Sequence, residues 1–200
     1  MYHTNIPASP LSPGLSAGCC VSSVLALLIG FYAASTLGPT GFYEMCTTQQ
    51  VECLPVVQTR GLSFTEIEGI NRRVNRDIRS IVEPPGVDVW RIGPREGDCD
   101  DYVMTKRQKL IKAGLGSDRA RVAVGMARGQ LHAVLVVNFG PYFYVLDNLT
   151  DEVLPVEKSA VRIVSVQSAA DPRMWHKAPG EDAGNGRAVA AARDLLRPPR

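Results

Sequence analysis

Positive charge is missing from the first part of the chain: no Lys or Arg precedes Arg60, although the protein has 22 of them in 200 residues. Aromatic residues are also few, at 6%. Over the rest of the sequence, acidic residues interleave with the basic ones. Nucleic-acid-binding surfaces need a basic stripe, so this composition argues against nucleic acid as a partner. The length, with 45% hydrophobic residues, favours one globular domain with terminal extensions.

The lack of charge also bears on the N-terminus. Residues 1–18 are rich in Pro, Ser and Gly, and residues 19–37 form an uncharged, mostly apolar run. Such a run is typical of a secretory signal peptide or a marginal membrane anchor, although the expected Lys or Arg ahead of it is absent. A buried core helix is the alternative. We expect export to the periplasm or beyond, with residues 38–177 as the folded domain and 178–200 as a flexible tail.

Cysteines are sparse as well, and three lie beyond the apolar run: Cys46, Cys53 and Cys99. In an oxidising compartment Cys46 and Cys53 are close enough in sequence to close a small disulfide loop, which leaves Cys99 as the odd thiol. A zinc site made of these three with His132 is an alternative, but it lacks the paired spacing of structural zinc ligands.

Helical signals come first in the chain and strand signals follow. Ser63 to Glu66 is a capping box ahead of an amphipathic run that ends before Pro84. A second helix should begin at Cys99, with Lys106, Arg107, Lys109 and Lys112 directed outward and Gly114 as its C-cap. Short β-rich runs follow at 119–126, 131–139, 142–146 and 161–166. The order predicts an α+β fold with helices packed on one side of an antiparallel sheet.

The stretch Gly97-Asp-Cys-Asp-Asp-Tyr102 contains a potential nucleophile, Cys99, between acidic residues. It joins a Pro- and Gly-rich loop to the second helix. A thiol at a helix N-terminus is favoured as thiolate by the helix dipole, whereas the flanking carboxylates oppose it, so a basic partner is needed. His132 and Asp147, on successive strands, complete a Cys–His–Asp order typical of papain-like thiol sites on the transglutaminase plan.

Four segments together resemble the bacterial transglutaminase-like cysteine proteinases, the LapG-like periplasmic peptidases. They are Trp90, the GDCDDY stretch around Cys99, the HAVL stretch from His132 and the VLDN stretch that contains Asp147. The resemblance implies a papain-like core with Cys99 as nucleophile, His132 as base and Asp147 as orienter. It also implies calcium at Asp98 and Asp100, a large cell-surface substrate such as an adhesin, an inner-membrane regulatory receptor and a role in biofilms.

Several alternatives stay open on the sequence alone. The acids around Cys99 could cap the helix, bind calcium or tune the thiol. An acyl-thioenzyme could be resolved by water, as in a peptidase, or by an amine, as in a protein-glutamine acyltransferase. A non-catalytic binding module on the same fold is the third function class. Cys99 N–H is expected to be one oxyanion donor, and the Trp90 indole is a candidate for another.

Overall fold

The structure is a computed structural model that describes residues 35–36 and 38–177. This part of the chain contains the helices α1 (Thr40–Thr48), α2 (Phe64–Asp77) and α3 (Cys99–Lys112), with 3-10 helices at Gln50–Cys53 and Val156–Lys158. None of the helices in these residues has the length and apolar character needed to span a membrane. Apart from Ser35 and Thr36, the predicted signal or anchor segment 19–37 lies outside the described residues, as does the tail 178–200.

Antiparallel pairing dominates the strands. They are β1 (Ser35–Thr36), β2 (Arg79–Ser80), β3 (Glu96–Gly97), β4 (Ala120–Ala127), β5 (Gln130–Phe139), β6 (Tyr142–Leu146), β7 (Leu154–Pro155), β8 (Arg162–Gln167) and β9 (Trp175–Lys177). Seven of them form one antiparallel sheet in the order β1-β9-β8-β4-β5-β6-β7. The short β2 and β3 pair in parallel as a separate ladder. The predicted meander is confirmed for β4, β5 and β6, and β8 returns to the free side of β4.

Helix α2 follows from its sequence pattern. The Ser63 hydroxyl accepts the Glu66 N–H at 3.3 Å, and the Glu66 carboxylate accepts the Ser63 N–H at 2.8 Å, which satisfies two donors at the helix start. Its buried stripe is Ile67, Ile70 and Val74. The helix ends at Asp77, earlier than the proline stop suggested, because the next residues leave to pair as β2 with β3.

Helix α3 differs from the prediction on its supposed outer face. Lys106 and Arg107 are both 0% exposed, so the expectation that they point outward is wrong. The physical reason is that α3 packs against α2 as well as against β4 and β5, which leaves little of its surface to solvent. Lys109 and Lys112 are exposed as expected, and Gly114 follows the helix with a positive φ of 112°.

The segment before α2 also differs from the prediction. We expect a surface loop over residues 38–62, but the structure forms α1 and a 3-10 helix there. Asp88 stabilises the start of α1, since its carboxylate accepts the Gly41 N–H at 3.0 Å. A side chain at position 41 would collide with the Asp88 carbonyl, so glycine is required for this approach.

The sheet has an apolar layer on each face. On one face, residues such as Leu135 and Val137 pack with the helices, including Phe42 of α1 and Leu110 of α3. On the other face, Val134 and its neighbours form a second cluster with residues from the segment after β6. This arrangement confirms helices packed on an antiparallel sheet and brings the N-terminus of α3 against β5.

Candidate active site

Cys99 is the first residue of α3, directly after β3. It is a half-buried free thiol. The preceding Gly97 explains the local sequence, because a Cβ atom there would lie 2.2 Å from the Asp101 carboxylate. Asp101 in turn accepts the Asp98 N–H at 3.3 Å, which fixes the turn into the helix. The thiol is therefore held at a helix N-terminus, where the backbone dipoles favour its anion.

Strand β5 brings the backbone and the imidazole of its first residues to the thiol. The Ala133 N–H donates to Cys99 Sγ at 3.4 Å. His132, next to it, is 9% exposed, and the Cys99 side chain is close enough to raise its pKa. Cysteine and histidine, far apart in sequence, thus meet at one end of the helix.

His132 also bonds to Asp147, at the end of β6. Its Nε2 lies 2.7 Å from Asp147 Oδ1, which leaves Nδ1 as the ring nitrogen for Cys99. Burial alone would lower the pKa of His132, but the hydrogen bonds and charges of Asp147 and Cys99 raise it to about 9. Burial likewise opposes ionisation of Asp147, yet its bonds to His132 and to the Leu149 N–H hold the pKa of Asp147 below its usual range. The arrangement stabilises an imidazolium at His132 beside the Asp147 carboxylate.

The loop that carries Asp147 is fixed by two asparagines of α2. Asn75 Nδ2 lies 3.1 Å from the Asp147 carbonyl, 3.0 Å from the Thr150 carbonyl and 2.9 Å from Asp151 Oδ1. Asn71, one turn earlier, donates to the Asp151 carbonyl at 3.0 Å. Sequence reasoning missed these residues. The available signal was two asparagines four residues apart, since that spacing puts both on one helix face.

Three carboxylates gather beside the thiol. Oxygens of Asp98, Asp100 and Asp101 lie within 4.8 Å of one another. Burial and then the neighbouring charge of Asp98 raise the pKa of Asp100 to about 10, and burial also raises the pKa of Asp98. Asp98 Oδ1 and Asp100 Oδ1 are buried, and neither has a hydrogen-bond partner in the described part of the chain. Unpartnered carboxylate oxygens at this spacing are the donors that a hard cation prefers.

Asp101 has a different environment from its two neighbours. Its Oδ1 accepts the Arg91 N–H at 2.7 Å, and its Oδ2 lies 3.1 Å from the Arg91 guanidinium. Arg91 also contacts Glu83 at 2.5 Å. Burial raises the pKa of Asp101 to about 6, against the opposing effect of these bonds. Asp101 therefore links the loop before β3 to the helix start, and the cluster's free donors belong to Asp98 and Asp100.

Trp90 does not offer the oxyanion donor that we expect from the sequence. Its indole N–H donates to Asp88 Oδ1 at 2.8 Å. The ring is 5% exposed and packs edge-on against Phe42, with centroids 5.7 Å apart. Because this N–H is already hydrogen-bonded and the ring is packed in the core, Trp90 is not an oxyanion donor in this structure.

Cys46 and Cys53 lie in a disulfide, with α-carbons 5.8 Å apart. The bond joins α1 to the 3-10 helix that follows it and leaves Cys99 as the free thiol among the described cysteines. The zinc alternative fails, because two of its four ligands are consumed by the disulfide.

The sequence profile of the bacterial transglutaminase-like cysteine proteinases, BTLCP, matches residues 32–183. Among solved structures, calcium-bound LapG from Legionella pneumophila is 21% identical with a TM-score of 0.50, over 66% of this chain and 79% of that one. EGTA-treated LapG from the same organism is 20% identical with a TM-score of 0.49, over 66% and 76%. A comparison with curated proteins finds no significant match. The likeness to the calcium-bound structure shows a shared fold.

Proposed function

Because the chain belongs to the family of bacterial transglutaminase-like cysteine proteinases and is a cysteine peptidase, we propose that Cys99, His132 and Asp147 are its catalytic triad. The observation that supports this assignment is that His132 Nε2 lies 2.7 Å from Asp147 Oδ1, while the N–H of the next residue, Ala133, donates to Cys99 Sγ at 3.4 Å. Each member occupies the position that its chemistry needs: a nucleophile at a helix N-terminus, a base beside it and a carboxylate behind the base.

The proposed reaction is peptide hydrolysis through a thioester. Cys99 Sγ, as thiolate, attacks the scissile carbonyl carbon, and the Cys99 N–H is placed to stabilise the resulting oxyanion. His132 gives its proton to the leaving amine as the C–N bond breaks, which leaves the acyl group on sulfur. His132 then takes a proton from water, whose oxygen attacks the thioester; the C–S bond breaks and releases a carboxylic acid and the Cys99 thiolate, which restores the starting ion pair. Asp147 fixes the ring orientation and stabilises the imidazolium in both steps.

Replacing Cys99 or His132 with Ala tests the triad. We expect kcat/KM for peptide cleavage to fall about 10³-fold or more, because both residues act in the chemical step. The control is His176→Ala, which removes a partly buried histidine on β9. Near-normal cleavage by His132→Ala would contradict the assignment. Adding a labelled primary amine separates hydrolysis from acyl transfer, since a transferase incorporates the amine into the acyl product.

The same site supports a calcium ion held by Asp98 and Asp100. Their unpartnered buried oxygens fit a hard cation, and burial raises the pKa of both carboxyls, so that a positive ion beside them would favour their ionised forms. A divalent cation supplies positive charge there and offsets the repulsion between these carboxylates and the Cys99 thiolate. Calcium-bound LapG from Legionella pneumophila, whose fold this chain shares, is consistent with calcium as the ion.

Calorimetric titration with calcium, alongside an activity assay in chelator, tests the ion. We expect binding heat in the wild type, none in Asp98→Asn/Asp100→Asn, and reduced activity of the wild type in EGTA. The isosteric double variant keeps the size of both side chains, so lost binding reports charge. Full activity in chelator with no binding heat would leave the two acids as parts of a helix start.

For the substrate, we propose a large cell-surface protein such as an adhesin, cleaved outside the cytoplasm. The disulfide between Cys46 and Cys53 supports an oxidising compartment. From the family resemblance, we propose that the protein is periplasmic or secreted, with a membrane anchor within 19–37 as the alternative. We also propose that an inner-membrane receptor restrains its activity and that its cleavages affect biofilms. The test compares the sizes of cell-surface proteins from a strain that carries the wild-type protein and a strain that carries Cys99→Ala. We expect one protein to be longer in the Cys99→Ala strain. Identical profiles would remove the adhesin proposal.

A further inference from the structure

Lys106 is the least expected residue near the triad. It lies on α3, two turns after Cys99, and is 0% exposed. Its Nζ has no hydrogen-bond partner among the residues that the structure describes. Burying an ammonium group without hydrogen bonds opposes folding, so a lysine here needs a reason other than stability.

The charges that act on Lys106 come from the loop behind the triad. They are the carboxylates of Asp147 and Asp151. Tyr102, on the same helix, presents its ring to Nζ at 5.8 Å from the centroid and donates its own hydroxyl to the Ile78 carbonyl at 2.6 Å. A cation that lies over an aromatic face and is attracted by carboxylates is held by electrostatics rather than by directed bonds.

Arg107, the adjacent buried cation, shows what a structural role looks like. Its guanidinium donates to the Ala120 carbonyl at 3.1 Å and to the Glu52 carbonyl at 2.6 Å, which ties α3 to β4 and to the disulfide-bonded segment. Lys106 makes no such bonds. Lys106 therefore acts on its surroundings through its charge. Of the two carboxylates that attract it, Asp147 is the one that also bonds to His132.

We propose that Lys106 is a positioning residue for the triad: its buried ammonium holds the Asp147 carboxylate ionised and oriented toward His132. This inference rests on the proposed triad. Asp147 Oδ1 already accepts from His132 Nε2 and from the Leu149 N–H, so a nearby cation adds attraction without competing for those bonds. Supporting groups that fix metal or catalytic ligands act in the same way in other proteins.

The proposal makes activity depend on pH in a defined direction. Burial lowers the pKa of Lys106 to about 7, against the opposing attraction of Asp147 and Asp151. Its charge is therefore present below pH 7 and lost above it. The Asp147 charge persists over this range because its own pKa is low. The contribution of Lys106 should thus be large at pH 6 and small at pH 8.5.

Three variants test this. Lys106→Met removes the charge and keeps the length, Lys106→Arg keeps a positive charge at every pH, and Lys109→Met makes the same chemical change at an exposed position of the same helix. We expect kcat/KM of Lys106→Met to be about tenfold below wild type at pH 6, the effect of one pKa unit. It should come within about twofold of wild type at pH 8.5. The kcat/KM of Lys106→Arg relative to that of the wild type should rise from pH 6 to pH 8.5, because arginine keeps the charge that lysine loses.

Thermal unfolding separates charge from packing. Since the buried ammonium has no hydrogen-bond partner within residues 38–177, Lys106→Met should unfold at the same or a higher temperature while losing activity. A loss of activity that is equal at pH 6 and pH 8.5, or one that follows a fall in unfolding temperature, would make Lys106 a packing residue and overturn the proposal. Unchanged activity in Lys106→Met with an inactive Cys99→Ala would overturn it and leave the triad intact. Full activity in Cys99→Ala would instead remove the proposed function.

Discussion

Asp147→Asn should change the titration of His132, and the size of the change follows from the site. Burial lowers the pKa of His132, but Asp147 and Cys99 together raise it from 6.5 to about 9. That rise corresponds to on the order of 3 kcal/mol in favour of the imidazolium. Asparagine keeps the shape of the side chain and removes its charge. We therefore expect the pKa of His132 to fall by about one or more, and kcat/KM to fall about 10²- to 10³-fold.

Proton NMR measures the pKa directly, because the chain has only three histidines and His132→Gln assigns the signal. The control is Asp151→Asn, which neutralises a carboxylate of the same loop that bonds to Asn75. The folded-state pKa lies above 6.5, so the stabilisation is fully present below pH 6.5 and is lost as the pH rises through 9. The unfolding temperature should fall over that interval, and by less in Asp147→Asn. An unchanged His132 titration in Asp147→Asn would refute the electrostatic account of the pair.

Three further outcomes are expected. Asp100, whose pKa is about 10, must lose a proton to bind calcium. Calorimetry should therefore show that the affinity for calcium rises about tenfold per pH unit from pH 6 to 8. An affinity that does not change with pH would argue against Asp100 as a ligand. Asn75→Ala releases three acceptors of the Asp147 loop and should lower stability by about 1–3 kcal/mol and kcat with it, whereas the exposed Arg76→Ala on the same helix should not. Replacing Cys46 and Cys53 with Ser opens a loop of sequence separation 7 and should cost about 2–3 kcal/mol in denaturant unfolding; an unchanged midpoint would mean that the bond does not constrain the unfolded chain.

The elements with local signals were predictable. Helix α2 forms at its capping box, α3 begins at Cys99, and β4 to β6 coincide with short β-rich apolar runs separated by turn residues. These features depend on neighbouring residues in sequence, so a single chain reveals them. The order of Cys99, His132 and Asp147 also indicated one site, and in the structure His132 bonds to Asp147 while the next residue, Ala133, bonds to the Cys99 thiol.

What the sequence could not reveal depends on packing between distant segments. Helical periodicity assumes one buried face, but α3 is covered on several sides, which is why Lys106 and Arg107 lie inside. The Trp90 indole N–H donates to Asp88, and this bond depends on a loop conformation that the spacing of residues in the sequence does not predict. The two asparagines of α2 look like ordinary polar positions until the loop after β6 folds onto them. In each case the missing information is which surface a segment meets.

The parallel ladder of β2 and β3 has an evolutionary consequence. It brings the two ends of the 81–95 loop together immediately before Cys99, with the Ile81 N–H bonded to the Gly97 carbonyl at 3.0 Å. The tip of that loop, from Pro84 to Val87, is an exposed turn. Because the ladder closes the loop below its tip, related chains can lengthen, shorten or diversify the tip while Cys99 stays at the start of α3. The tip of this loop is thus free to vary without moving Cys99.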